Sequence, residues 1–117
     1  MKKEKKRENG IIEKIKVIQL ENKNQFLIDT MEYRYFQSYA SLIACFNKNT
    51  HKLTLGCDWD YSNTTRKHLY IFIRDYCYFC SWDPVAIDDV LYNSKNKKQA
   101  IIKLIKDGVI DYDPDLQ

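Results

Sequence analysis

At 117 residues the chain is long enough for one hydrophobic core and too short for two. Apolar residues make up 44%, with only 3 Gly and 2 Pro, which excludes a low-complexity or collagen-like chain despite 30% charged residues. The net charge of +3 fits a folded globule, and no apolar run approaches the roughly 18–20 residues needed to cross a membrane.

The chain opens MKKEKKRENG, where Lys2, Lys3, Lys5, Lys6 and Arg7 gather positive charge and Glu4 and Glu8 dilute it. Residues 1–10 are predicted to be a flexible basic arm. It is a solvated end or, on a sharper reading, a hold on an anionic partner such as nucleic acid. Its charge is that of a signal-peptide n-region, but Glu13, Lys14 and Lys16 break the apolar run that should follow. No export segment is predicted, and the expected location is the cytoplasm.

Residues 11–117 are expected to form a single α+β domain. Ile11 to Leu20 alternates imperfectly, with Ile15 and Val17 on one side and Lys14, Lys16 and Ile18 on the other, which suits a strand. ENKNQ is a turn, and Phe26 to Ile28 a short returning strand. Tyr33 to Phe46, YRYFQSYASLIACF, is aromatic and β-branched and runs to the turn signal NKNT. Lys52 to Leu55 follows, ending at Gly56. This spacing predicts a small antiparallel meander.

The period then changes. Leu69, Phe72, Ile73, Tyr76 and Cys80 recur at helical spacing, and Ser62, Asn63 and Thr64 before them are cap residue types. Asp83-Pro84 predicts the start of a second helix that continues to about Tyr92. A third is predicted from Lys97 to Lys106, with Ala100, Ile101, Leu104 and Ile105 inward and Asp107-Gly108 stopping it. Val109 to Tyr112 is a short last strand. The fold class is therefore α+β, a small antiparallel sheet packed by about three C-terminal helices.

Cys57 to Cys80 concentrates the chemistry: CDWDYSNTTRKHLYIFIRDYCYFC. Structural zinc wants two close ligand pairs, whereas only Cys77 and Cys80 are close; Cys45, His51, Cys57 and His68 are scattered. A thioredoxin-type site begins a helix, whereas this C-x-x-C is expected to end one. The four cysteines are expected to be reduced and buried, and no cofactor or metal is expected. Asp58, Asp60 and His68 form a candidate set for a small metal-dependent nuclease, but no phosphate loop or second acidic cluster accompanies them. As structure, Asp60, Ser62 and Thr64 can serve free N–H groups at the helix start, while Trp59 and Tyr61 anchor the turn.

A binding surface is the stronger functional reading. At 100° per residue, Lys67, Tyr70, Arg74 and Tyr78 fall opposite the apolar stripe, with Arg66 and His68 beside them. Cations interleaved with tyrosines suit stacking on bases and pairing with phosphates, or a protein interface.

QSYASLIACF, the strand ending Leu55-Gly56, and DWDYSNTTRKHLYIF together resemble a group of small bacteriophage and prophage proteins of unknown function. Ser38, Tyr39, Ile43 and Ala44 match that group's first motif. Tyr61, Ser62, Thr64, Thr65, Lys67 and His68 match its second, and Lys106-Asp107-Gly108 its third. The likeness runs from Gln37 to Tyr112 and leaves out the basic N-terminus and CYFCSWDP. It implies a mobile-element origin, and that the hydroxyl turn and His68 act as a unit. The expected function is binding without catalysis, as an inhibitor of a host nucleic-acid-handling or defence machine of the anti-CRISPR kind. Its partner is then a host protein or protein–nucleic-acid complex in the host cytoplasm. Direct nucleic-acid binding in phage regulation is the alternative, and the nuclease the third reading.

Overall fold

In the computed structural model, which describes residues 2–6, 12–20, 23–77 and 87–116, the strand-forming first half makes a meander. β1 (Lys2–Lys6), β2 (Ile12–Gln19), β3 (Gln25–Asp29), β4 (Tyr33–Ser38), β5 (Ser41–Asn47) and β6 (Lys52–Leu55) lie side by side in chain order. Each is antiparallel to the one before. The chain continues as α1 (Asn63–Tyr76), α2 (Ile87–Asn93) and α3 (Lys97–Lys106), then returns as β7 (Asp111–Tyr112), parallel to β6. Parallel neighbours need a crossover, and the three helices supply it. The α+β architecture expected from the sequence is the one observed.

Several boundaries differ. YRYFQSYASLIACF is two strands, folded at Tyr39-Ala40. That turn has none of the usual Gly, Asn or Pro. Tyr39 instead adopts φ +53°, a left-handed conformation that costs a non-glycine residue roughly 1–2 kcal/mol. The Tyr39 N–H donates to the Asn24 carbonyl at 2.7 Å, and Gln37 Nε2 donates to the Tyr39 carbonyl at 2.7 Å, holding it there. Phe36 faces Ala44 while Gln37 faces Leu42, so Ile43 is an extra residue and both Ile43 and Ala44 turn inward. In the basic N-terminal segment, Lys2–Lys6 forms an edge strand opposite Ile12–Lys16; lysines along an edge discourage further strand pairing.

Strand alternation puts Leu27, Phe36, Ala44, Phe46, Leu53 and Leu55 into the core. α1 covers them with Leu69, Phe72 and Ile73, and the Phe36 and Phe72 rings lie 6.0 Å apart, stacked. α3 contributes Ile101 and Leu104, with Ala100 and Ile105 partly buried as expected. Gly108, at φ +76°, closes α3 in the left-handed cap that glycine suits. Gly56 is needed for a different reason: a Cβ there would sit 2.9 Å from the Leu42 carbonyl oxygen.

α1 ends at Tyr76 and Cys77 is its extended cap residue, so the first cysteine of the C-x-x-C stands at the helix end. Arg34 of β4 donates to the Tyr76 carbonyl at 2.8 Å and pairs with Asp29, tying this helix end to the sheet. Tyr78, Cys80 and the expected Asp83-Pro84 helix start lie outside the described residues. No helix among the described residues is long and apolar enough to cross a membrane.

Candidate functional site

The turn into α1 is built from the CDWDYSN residues, each with a different fate. Trp59 is buried and anchors the loop, whereas Tyr61, expected to help, is 75% exposed. Ser62 is the cap: its Oγ accepts from the Thr65 N–H at 3.1 Å and donates to Thr65 Oγ1 at 3.1 Å. Asp60 does not cap. Its carboxylate joins Arg66 of α1 to Lys98 of α3, the latter at 2.8 Å. Burial alone would raise the Asp60 pKa, but the hydrogen bonds and charges of Lys98 and Arg66 outweigh it and hold the acid below its ordinary value.

Thr64 is exposed and offers only its carbonyl, which the Nδ1 of His68 meets at 2.9 Å. His68 is 2% exposed, so it belongs to the buried face of α1 and not to a contact surface. Its link to the turn is this contact with the Thr64 backbone carbonyl, not with a hydroxyl. Arg66, another expected contact, is occupied by Asp60 and by the Asn63 side chain. Asp58, Asp60 and His68 are not brought together, and no cluster of three metal-ligating side chains occurs among the described residues.

The cysteines divide. Cys77 is buried and Cys45 half-buried, but Cys57 is exposed, contrary to expectation. Burial pushes the Cys45 thiol up to about 11 and the Cys77 thiol further, so neither is an activated nucleophile.

The predicted cation–tyrosine face of α1 is one wall of a cleft. Lys67, Tyr70 and Arg74 line it together with Ile71 and Ile73. The opposite wall is Asp89, Leu91 and Tyr92 of α2 and Lys97 of α3, enclosing about 610 Å³. Tyr70 is not the solvated residue that a helical projection suggests; it is half-buried against the core, and burial raises its hydroxyl pKa. Arg74 is exposed but engaged, its guanidinium donating to both oxygens of Asp75 at 2.8 and 3.0 Å. Tyr92, 85% exposed, is the most open large hydrophobic side chain of the cleft and was not singled out by sequence. Its signal was available, since an aromatic residue late in α2 that faces no core needs another explanation.

A second pocket, of about 630 Å³, opens beside the start of α1. Ser38, Tyr39, Ala40, Ser41 and Ile43 come from the β4–β5 hairpin; Asp58, Tyr61, Ser62, Thr64 and Thr65 come from the turn and helix. The stretches QSYASLIACF and DWDYSNTTRKHLYIF, separated in sequence, thus meet around one cavity.

The profile of a family of unknown function (DUF8033) matches residues 9–79, well over half of the chain. The chain belongs to this family. No curated protein and no solved structure matches it. The matched region contains the whole of the second pocket and the α1 wall of the cleft, whereas the α2 and α3 wall lies beyond it.

Proposed function

We propose that this DUF8033 member is a non-catalytic binding protein that docks a protein partner in the cleft between α1 and α2. In keeping with the phage-type motifs, its role is to inhibit a host nucleic-acid-handling or defence machine. The observation that carries the docking reading is the cleft itself: Tyr70, Ile71, Leu91 and the open ring of Tyr92 offer an apolar floor and wall, with Lys67 and Lys97 alongside. Aromatic anchors in a concavity with polar surroundings are the usual energetic centre of a protein interface.

A phosphate-binding track is supported less well. It needs a run of available cations, but Arg66 is taken up by Asp60, Arg74 is held by Asp75, and Asp89 places a carboxylate in the cleft. Affinity capture from bacterial lysate, with and without nuclease, separates the two. Capture by the wild type that survives nuclease and high salt, and is lost in Tyr92→Asp with melting temperature unchanged, supports a protein partner. Capture abolished by nuclease, or undiminished in Tyr92→Asp, overturns it.

A further inference from the structure

The pocket beside the start of α1 shares no lining residue with the cleft and has its own chemistry. Its volume of about 630 Å³ is that of a small-ligand or peptide-side-chain site. Its lining contains a single formally charged group, the Asp58 carboxylate, and no Lys or Arg. The two acids of DWD therefore differ sharply. Asp60 is bridged to two cations, whereas no ion pair or hydrogen bond engages the Asp58 carboxylate among the described residues. Two tyrosines stand at the same pocket, Tyr39 at 55% and Tyr61 at 75% exposure. Tyr39 is kept in a backbone conformation that glycine would adopt more easily.

A helix N-terminus invites an anion, but its partial charge is roughly half a unit, and the full charge of Asp58 on the same cavity outweighs it. A phosphate or carboxylate is therefore disfavoured. A planar cation suits the carboxylate and the two rings: carboxylates bind guanidinium through two parallel hydrogen bonds, and tyrosine faces attract and stack on it. The hydroxyls of Ser62, Thr65 and Ser38 are linked to one another, Ser62 donating to Thr65 Oγ1 at 3.1 Å and Thr65 Oγ1 lying 3.3 Å from Ser38 Oγ, where either atom can donate.

We propose that this pocket receives an arginine side chain of a partner protein, its guanidinium paired to Asp58 and flanked by Tyr39 and Tyr61. The site is a second recognition point, independent of the α1–α2 cleft.

The test is an NMR titration of the intact chain with acetyl-Gly-Arg-Gly-amide and its neutral citrulline counterpart, followed at the amides of Tyr39, Tyr61 and Thr64. The arginine peptide should give saturable shifts there, and the citrulline peptide should bind roughly tenfold more weakly. Asp58→Asn should lose a similar factor. Tyr39→Gly, which relaxes the backbone while removing one ring, should also bind more weakly with its fold intact. Tyr92→Asp should leave the titration unchanged, so failure of the cleft reading does not affect it. Absence of saturable shifts, equal binding of the two peptides, unaltered binding by Asp58→Asn, or displacement by inorganic phosphate each overturns the assignment.

Discussion

Among the residues that decide this fold, hydroxyls of similar type do different work. Ser62 and Thr64 are both cap types at the same turn, yet only Ser62 reaches an orphan N–H. We expect Ser62→Ala to cost about 1 kcal/mol of stability. Thr64→Ala, at an exposed helical position, should be neutral or slightly stabilising; equal losses in urea melts would show the cap misassigned. Gln25 offers a sharper case. It is wholly buried, and neither its side-chain oxygen nor its nitrogen has a hydrogen-bond partner among the described residues. An unsatisfied buried amide costs on the order of 1–3 kcal/mol, so Gln25→Met, close in shape and without polar atoms, should raise stability by about that much. A loss in the same urea melts would mean that the amide is satisfied after all. His68 shows how residue type can mislead: it follows Arg66 and Lys67 and so suggests a contact surface, yet it stands four residues before Phe72 and shares that residue's buried face.

At the scale of elements, periodic segments were legible and their junctions were not. β6 and α3 fall where alternation and helical spacing place them, because both bury a regular face. The β4–β5 hairpin was missed because its turn residues, Tyr39 and Ala40, carry no turn signature, and tertiary hydrogen bonds hold the strained φ in place of intrinsic preference. The contact between α1 and α3 through Asp60 was equally hidden, since it joins residues far apart in sequence. That bridge has a pH consequence. The folded-state pKa of Asp60 is lowered, so its contribution to stability is present above the ordinary carboxylate range and is lost as pH falls through it. We expect Asp60→Asn to remove about 1 kcal/mol at neutral pH and to flatten the acid side of the stability profile. An unchanged acid limb would mean that the bridge contributes nothing in solution.

For the whole molecule, residues on both walls of the pocket beside α1 stood out in the sequence, whereas only one wall of the cleft did. The α1 face holding Lys67, Tyr70 and Arg74 was visible from spacing, but its partner wall of Leu91, Tyr92 and Lys97 depends on how α2 and α3 pack, which no periodicity encodes. The β-meander thus acts as a platform: it buries one face of α1, and its β4–β5 hairpin lines the pocket at the start of that helix. The central claim, that a protein is bound in the α1–α2 cleft, is tested most directly by site-specific photo-crosslinking in bacteria. A benzophenone amino acid replaces Tyr92 in one variant and Tyr112, 46% exposed on β7, in another. We expect the probe at 92 to give a discrete, nuclease-resistant protein adduct that Tyr70→Ala weakens, and the probe at 112 to give none. Adducts to nucleic acid at 92, or a protein adduct at 112 alone, would contradict it.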